Sequence, residues 1–300
     1  MSGYGDYTDG AYVSNQALDS QVHYYYHVDT LKGATETGGV SNGFETLDSY
    51  RPTNGSNNYA QYSETLGTYA SANGLGRWGV ELAFGRTLAA NSSDEHAIIK
   101  ISHGGTRLER DWNPGAWNPN TNPTGGEAIW QNWLTETTRA LNLLEAQGYD
   151  VEIASFTWLQ GEGDSNDEAS ALAYEDNYRL LLSSVESHML TFGYSTEDTV
   201  FLNPSFSHGR DDLSNLDEVR AAQQAVMGDL ANGYYIDNSA LNSTDDYFDR
   251  IHYNGASLNL IGTNMANTFL SASSVPEPTS VSLLGLGAIT FVARRSRVQK

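Results

Sequence analysis

The feature that most constrains the fold is a regular alternation of short apolar runs with longer amphipathic segments after residue 77. Apolar runs at 97–102, 151–158, 199–203 and 234–238 have the length of buried strands. Strands that alternate with helices of ten or more residues predict an α/β fold with a doubly wound parallel sheet. Ligands of such sheets bind at the carboxyl ends of the strands, so the loops at those ends are the first place to look for a site.

Five stretches carry the period of a helix with one apolar face. Gly148 is expected to end the second of them, and Ser214 with Asp217 is expected to cap the fourth. The expected helices cover residues 80–90, 130–144, 172–189, 219–230 and 258–269.

The first 76 residues are rich in Tyr, Gly, Asn and Ser, and hold ten of the eighteen tyrosines. Valine and tyrosine alternate with histidine and tyrosine over 22–28, which predicts a half-buried strand with its histidines facing solvent. A hairpin or loop is expected over 31–43, followed by a short return strand over 44–47.

The charge balance is strongly acidic and limits the partners. The chain has 16 Lys and Arg against 37 Asp and Glu, a formal net charge of −21. Four of the basic residues lie in the last seven positions, so residues 1–293 carry twelve basic side chains against all 37 acidic ones. Such a body repels nucleic acid and anionic membranes, and we expect a neutral substrate. The chain has no Cys, which excludes disulfides, zinc–thiolate sites and a Cys nucleophile.

The last part of the chain has the composition of a sorting segment. Val-Pro-Glu-Pro at 275–278 leads into an apolar run over 279–293, and Arg-Arg-Ser-Arg follows at 294–297. A spanning helix needs about 20 apolar residues, so this run predicts a short membrane span with the arginines on the cytoplasmic side. In all three parts and in their order, the segment resembles the PEP-CTERM sorting tail of exported bacterial proteins.

That resemblance implies export to the medium or the cell surface, a transient span of the inner membrane, and processing by an exosortase-type enzyme. An exported protein is expected to begin with a signal peptide. The sequence Met-Ser-Gly-Tyr-Gly-Asp at 1–6 is polar from the start and is not one.

Three loops that follow predicted strands carry groups suited to ester hydrolysis. Gly104 and Gly105 can bring backbone N–H groups close to a substrate, because no Cβ stands in the way. Gln160 offers a side-chain amide as a further donor to an oxyanion. Asp249 lies three residues before His252, a spacing that lets the carboxylate accept the Nδ1 proton and leaves Nε2 as a general base. In a parallel sheet these loops should converge.

Each feature taken singly also has a structural interpretation, which is the favoured one. A Gly pair after a strand is usually a turn, and an Asp this close to a His is usually a loop contact or a helix cap. Gln160 can be a structural amide, and Glu162 and Asp164 can be solvated loop charges. At three strand ends together, the groups favour a site.

Turn-forming residues predict a long loop over 111–126. Trp112 and Trp117 in this loop can offer stacking faces to a substrate or can pack the loop against the body. Arg107 can contact a substrate or pair with local carboxylates. Trp112 and Arg107 are the candidates for substrate binding.

On these residues the chain resembles the SGNH hydrolases of the sialate O-acetylesterase and acetylxylan esterase type (carbohydrate esterase family six). The similarity covers about residues 1–270, and its most specific segment has Gln where other SGNH enzymes have Asn. The matching segments are Arg-Trp-Gly-Val-Glu-Leu-Ala-Phe-Gly-Arg at 77–86, Ile-Lys-Ile-Ser-His-Gly-Gly-Thr-Arg-Leu at 99–108 with Asp-Trp at 111–112, Trp-Leu-Gln-Gly-Glu-Gly-Asp at 158–164, and Asp-Arg-Ile-His at 249–252.

The resemblance implies a flavodoxin-like three-layer sandwich over residues 1–272, followed by the sorting segment at 273–300. It implies a serine carboxylic-ester hydrolase that removes O-acetyl groups from a carbohydrate, without a cofactor or a metal. The implied site residues are the base His252, its orienter Asp249 or Glu162, and the oxyanion donors Gly104, Gly105 and Gln160.

The opening of the chain departs from the family pattern. Members open with a strand that ends in Gly-Gln-Ser-Asn-Met, where Ser is the nucleophile, and Met1 fits the last residue of that block. The first strand, the nucleophile and the signal peptide are therefore expected upstream of Met1, beyond a start codon that was placed internally. Ser2 lies three positions late, and a displacement of about 1 Å can cost a hundredfold in rate. We expect the 300-residue chain to be poorly soluble and inactive.

Two other functions are open at this point. A non-catalytic surface protein that keeps the fold would bind a glycan without hydrolysing it. A lipid esterase of the wider SGNH group would act on long acyl chains, and the block at 158–164 disfavours it. The sequence does not choose between xylan, sialic acid and an acetylated exopolysaccharide, although the negative body disfavours a polyanion.

Overall fold

The computed structural model of the chain describes residues 15–29, 39–40, 43–47, 79–115, 128–206, 208–210, 212–247 and 252–273. The strands in this part are β1 Val22–Asp29, β2 Gly39–Val40, β3 Glu45–Thr46, β4 His96–His103, β5 Ser155–Thr157, β6 Val200–Pro204 and β7 Gly233–Ile236. The helices are α1 Gln16–Asp19, α2 Val80–Asn91, α3 Ala128–Ala146, α4 Glu168–Leu172, α5 Tyr174–Thr191, α6 Leu216–Gly228 and α7 Gly255–Ser273. Short helical turns cover Leu108–Trp112, Asp164–Asn166 and Thr244–Asp246.

The described strands form two groups. In the first, β4 runs parallel to β1 from Val22 beside His96 to Asp29 beside His103, and β2 and β3 add short antiparallel pairs to β1. In the second, β5, β6 and β7 are parallel, with β6 in the middle. No ladder between described residues joins β4 to β5.

Both groups lie between the same two helix layers. One apolar cluster joins Tyr25 of β1 and Phe201 of β6 to side chains of α3, α5 and α6. The other joins Tyr24 of β1 and Leu202 of β6 to side chains of α2 and α7. The two groups therefore behave as halves of a single doubly wound sheet, and the predicted α/β class is confirmed.

Strand β1 is more deeply buried than the half-buried strand predicted for 22–28. Tyr24, Tyr25 and Tyr26 are at most 2% exposed, because helices cover both faces of the strand. The alternation of His with aromatic residues predicts one solvent-exposed face, whereas helices cover both faces of a strand inside a doubly wound sheet. His23 is at the rim, with its side chain 35% exposed and Nε2 3.8 Å from the Glu95 carboxylate.

The predicted helices over 80–90, 130–144, 219–230 and 258–269 form as α2, α3, α6 and α7, and Gly148 follows α3 with a φ of 82°. The predicted helix over 172–189 is divided at Ala173 into α4 and α5, and Leu172 is 70% exposed instead of buried. The predicted cap of α6 is wrong. Its N-cap is Asn215, whose side chain makes no capping hydrogen bond.

The strands that bound the site are also shorter or differently placed than their apolar runs predict. The run over 151–158 yields only β5 at Ser155–Thr157, and 234–238 yields β7 at Gly233–Ile236. The predicted loops over 31–43 and 111–126 lie largely outside the described residues.

A buried ion pair lies at the start of α2. Glu81 and Lys100 have side chains 3% and 10% exposed, and Lys100 Nζ donates to Glu81 Oε1 at 2.7 Å. The Gly79 N–H donates to the same oxygen at 3.0 Å. The first turn of α2 is thus anchored to β4 through a charge pair inside the fold.

In the described part of the chain, no helix combines the length and apolar character that a membrane span requires. The run over 279–293 that predicts a span lies outside the described residues.

Candidate active site

The first loop of the candidate site follows β4 and contains Gly104 and Gly105. Gly105 has a φ of 69°, in the left-handed region that suits glycine. Thr106 braces the turn: its hydroxyl donates to the His103 carbonyl at 3.3 Å and accepts from Trp112 Nε1 at 2.9 Å. Between described residues, neither glycine N–H makes a backbone hydrogen bond. Both donors can therefore serve a substrate oxygen.

Gln160 follows β5 and reaches across to this first loop. Its Nε2 donates to the Thr106 carbonyl at 3.0 Å and to Asp164 Oδ2 at 2.6 Å, and its Oε1 accepts from Tyr174 OH at 3.1 Å. An amide nitrogen has only two hydrogens, so both donations are used. In this arrangement the amide holds two loops together. The oxyanion role predicted for Gln160 requires one of these bonds to be released.

The glycines on either side of Glu162 allow two close approaches. Gly161 has a φ of 152°, and a Cβ there would come within 3.0 Å of the Phe206 ring. A Cβ on Gly163 would come within 3.0 Å of the Thr106 carbonyl group. Gly163 itself has a φ of −64°, so only the approach of the first loop demands glycine at this position.

Asp164 is a buried carboxylate that joins the two loops. It is 0% exposed and accepts from the Leu108 N–H at 2.9 Å and the Glu109 N–H at 3.4 Å, in addition to Gln160. Burial raises the pKa of Asp164 to about 6, although the hydrogen bonds from Gln160, Leu108 and Glu109 oppose the shift. The interpretation of Asp164 as a solvated loop charge is therefore wrong.

His252 is half-buried and lies just before α7. The next residue, Tyr253, is 0% exposed, forms an antiparallel bridge with Tyr247 and stacks on its ring at 4.9 Å. Asn254 donates its N–H to the Asp246 carbonyl at 3.0 Å. The backbone on the carboxyl side of His252 is thus fixed. Asp249 lies outside the described residues, so its contact with His252 stays a prediction.

Glu162 is partly exposed and lies near the His252 segment. Its charge contributes to the raised pKa of Tyr253, for which burial is the main cause. It also contributes to the raised pKa of Arg210, whose main cause is the hydrogen bond with Asp212. A role for Glu162 in orienting His252, in competition with Asp249, stays a prediction.

The two candidate substrate contacts are engaged inside the fold. Trp112 is 4% exposed and meets the Trp158 ring edge-on at 5.3 Å, so it packs the loop against the body. Arg107 donates through Nη1 to Ser170 Oγ at 3.4 Å. Trp117 lies outside the described residues.

A Ser–His pair that was not expected from the sequence lies at the end of β6. Ser205 Oγ is 2.7 Å from His208 Nε2 and accepts from the Asn238 N–H at 2.7 Å. The Asp237 carboxylate approaches the same Nε2 at 3.9 Å, so it does not orient the ring through Nδ1 as a triad acid does. Ser205 is 0% exposed. The pair connects β6 to the segment after β7 and has a structural role.

Two further residues, which were not expected from the sequence, complete the polar core of the site. Tyr174 OH accepts from Trp158 Nε1 at 2.8 Å and donates to Gln160. Gln223 Nε2 donates to the Gln160 carbonyl at 2.7 Å. Both lie on helices, where their positions show only the period of a packed face. The described residues contain no group of three or more His, Asp or Glu suited to a metal ion.

A glycine turn tied to a second loop at the carboxyl edge of parallel strands presents N–H donors where a ligand of such a sheet binds. The chain belongs to the carbohydrate esterase, sialic acid-specific acetylesterase family, whose family model matches residues 42–271. The PEP-CTERM protein-sorting motif matches residues 274–297. The predicted family resemblance is confirmed.

Two solved structures share the fold. NanS has a TM-score of 0.55 at 12% identity, over 90% of this chain and 93% of NanS. A protein of Arabidopsis thaliana has a TM-score of 0.53 at 17% identity, over 84% of this chain and 81% of that chain. A search of curated protein sequences finds no match.

Proposed function

We propose that the protein is a carbohydrate O-acetylesterase that hydrolyses acetyl esters on a polysaccharide or on sialic acid by a Ser-His-Asp mechanism. The observation that carries the proposal is the junction of the Gly104–Thr106 turn with the loop from Gln160 to Asp164, in a chain of this esterase family. That junction puts backbone donors and a buried polar network at one edge of the sheet, and the charge of Glu162 in the second loop acts on Tyr253, the residue after His252.

In the proposed reaction, His252 Nε2 takes the proton of a serine hydroxyl as its oxygen attacks the acetyl carbonyl carbon. The oxyanion that forms accepts from the Gly104 and Gly105 N–H groups, and loss of one such donor typically costs on the order of a hundredfold or more in rate. The imidazolium then protonates the departing sugar oxygen, which leaves an acetyl-serine. Water, deprotonated by His252, attacks this ester and releases acetate.

A carboxylate that accepts the Nδ1 proton of His252 would fix the tautomer and stabilise the imidazolium. Asp249 has the spacing for this role, and Glu162 is the alternative. Replacing each with its amide separates them, because only the true orienter leaves the wrong tautomer when it is lost.

We propose that the nucleophilic serine is supplied by a strand between β4 and β5, encoded upstream of Met1. Two observations support this. No ladder between described residues joins β4 to β5, although both lie between the same helix layers. Ser102 Oγ and Thr157 Oγ1, near the carboxyl ends of these strands, are buried and make no hydrogen bond. A parallel strand in this place would end beside Gly104 and Gln160.

On this proposal the 300-residue chain is inactive and poorly soluble, since two sheet edges lack their partner. Reading the genomic frame upstream of Met1 tests it. A frame that encodes an apolar strand ending in Gly-Gln-Ser-Asn supports the proposal. A nearby stop codon, or turnover of an acetyl ester by the 300-residue chain, would refute it.

We further propose that residues 1–272 form the esterase domain and residues 273–300 a sorting segment. The match of the PEP-CTERM motif supports export and processing by an exosortase-type enzyme. Replacing the Pro-Glu-Pro at 276–278 with alanines should then leave an uncleaved form in the membrane fraction, visible as a larger band on a gel.

Acetate release by a chain extended upstream tests the activity and the alternatives together. Acetylated xylan, acetylated sialic acid and a long-chain acyl ester serve as substrates. Hydrolysis of either acetylated carbohydrate supports the proposal and identifies the substrate class. Glycan binding without acetate release would instead indicate a binding module, and preference for the long acyl chain a lipid esterase.

A further inference from the structure

The buried carboxylate of Asp164 holds the glycine turn from its far side. The turn begins where β4 ends, and β4 is fixed along its length by the ladder with β1. It ends at Leu108 and Glu109, whose N–H groups both donate to Asp164. The Gly104–Arg107 segment is therefore anchored at one end by a strand and at the other by side chains, of which Asp164 binds the N–H groups that follow the segment and Asp111 accepts from the Arg107 N–H at 2.7 Å.

The same carboxylate fixes the second loop. Asp164 Oδ2 accepts from Gln160 Nε2 at 2.6 Å, and the other hydrogen of that amide goes to the Thr106 carbonyl. Gly163 packs against the same carbonyl closely enough that a Cβ would not fit. The contacts of Gln160 with Asp164 and with Thr106 thus hold the two loops together.

We propose that Asp164 is a positioning residue for the hydrolysis, which holds the Gly104 and Gly105 N–H groups at the place where the oxyanion forms. This inference rests on the proposed esterase function. Oxyanion donors act only within a narrow range of distances, and a displacement of about 1 Å can cost a hundredfold in rate. Asp164 does not touch substrate, so its loss should lower kcat and leave KM nearly unchanged.

The ionised form of Asp164 is the one that accepts from three donors. A proton on this carboxyl would face one of the three N–H donors, and the hydrogen bond from that donor would be lost. Arg107 favours the ionised form, and the charge of Asp164 contributes to the raised pKa of Tyr174, after burial, and of Arg110, after its hydrogen bond with Asp111. The other charged groups on the two loops are Glu109, Asp111 and Glu162.

The first measurement needs no activity. Hydrogen exchange followed by mass spectrometry reports the Leu108 and Glu109 amides in the upstream-extended chain and in its Asp164→Asn variant. We expect exchange of these amides to speed up by about tenfold or more in the variant. Asp237→Asn is the matched control: Asp237 accepts from the Ser239 N–H at 2.8 Å in the turn after β7, away from the Leu108 segment. Its variant should leave the Leu108 and Glu109 amides unchanged.

A second variant disturbs the turn without removing the carboxylate. Gly163→Ala keeps the carboxylate and pushes Thr106 away, so it should also speed exchange in the turn. Unchanged exchange in both Asp164→Asn and Gly163→Ala would overturn the proposal, whatever the activity of the protein.

The second measurement uses the upstream-extended chain and its pH profile. As the pH falls through about 6, log(kcat/KM) of the unmodified enzyme should fall more steeply than that of Asp164→Asn, because Asp164 takes up a proton only in the unmodified enzyme. Above this pH, kcat of Asp164→Asn should be about a hundredfold lower. An unchanged slope and kcat would contradict the positioning role. If the extended chain releases no acetate at all, the proposed function fails, while the exchange result still decides whether Asp164 anchors the turn.

Discussion

Replacing Gly163 with alanine tests whether the two loops of the site are packed as closely as the structure has them. Gly163 has φ −64° and ψ −42°, which alanine adopts without strain. The new Cβ would lie closer than 3.0 Å to the Thr106 carbonyl, so the loops must separate by about 1 Å to reach ordinary contact, which starts at 3.4 Å. The hydrogen bond from Gln160 to Thr106, now 3.0 Å, would then be lost.

Three effects determine the change in the free energy of unfolding of Gly163→Ala. Overpacking of a close contact costs about 1–3 kcal/mol, and a lost hydrogen bond costs about 1 kcal/mol. The reduced freedom of the unfolded chain returns about 0.4–1 kcal/mol. We expect the free energy of unfolding to fall by about 1–4 kcal/mol, which for a domain of this size lowers Tm by about 2–16 °C.

Gly228→Ala is the matched control, because Gly228 ends α6 and a Cβ there meets nothing within 4 Å. It should raise stability by about 0.5–1 kcal/mol, the usual gain from alanine in a helix. Urea unfolding and calorimetry of both variants give the comparison. If Gly163→Ala is as stable as the unmodified protein, the close packing of the two loops is not real.

Two further predictions concern buried charges. Lys100→Met removes the ammonium partner of the buried Glu81 and should lower the free energy of unfolding in urea by about 3–5 kcal/mol. The control Arg179→Met should lower it by at most about 1 kcal/mol, because the pairs of Arg179 with Glu175 and Asp229 are exposed. Asp164 has a folded-state pKa of about 6, above its unfolded value, so its contribution to stability is complete below pH about 4 and is lost as the pH rises through 6. Between pH 4 and 7 the unmodified protein should therefore lose about 2–3 kcal/mol relative to Asp164→Asn, and a constant difference in chemical denaturation would contradict the assignment.

The ionisation of Asp164 also affects the site. The ionised carboxylate that anchors the glycine turn is also the form that costs folding free energy. Stability and positioning therefore respond to pH in opposite directions at Asp164. Such opposition is common where an active site needs a group that the fold alone would not favour.

The helices and the positions of the strands along the chain could be predicted because they depend on periodic burial along the chain. Leu82, Phe84 and Leu88 on α2, for example, are all at most 1% exposed, as their spacing requires. The burial of β1 could not be predicted, because it depends on helices that pack on both of its faces. The division at Ala173 likewise has no signal in the apolar period of 172–189.

The site was predictable only as far as its motif residues extend. Gly104, Gly105 and Gln160 are adjacent in sequence to strand ends, and the fold brings their loops together. The hydrogen bonding of the Gln160 side chain was not predictable, because its amide is held by Thr106 and Tyr174, which lie far from it in sequence. The burial of Asp164 was missed for the same reason, because its donors come from another loop.

Trp112 shows how an aromatic residue in a polar loop can mislead. Its neighbours in sequence are turn-forming and polar, which allowed a stacking surface for sugar. Its indole N–H instead donates to Thr106 inside the fold, and its ring packs on Trp158. A buried partner for the N–H is the usual requirement of a packed tryptophan, and only the tertiary structure reveals it.

The most direct test of the account is acetate release from O-acetylated sialic acid and xylan by the upstream-extended chain and by its His252→Ala variant. His23→Ala is the control, since His23 pairs with Ala97 at the opposite, amino end of β4. The account predicts that His252→Ala lowers kcat about 10²–10⁴-fold while His23→Ala leaves it unchanged. Equal rates for the unmodified chain and His252→Ala, or no acetate release by the unmodified chain, would contradict it.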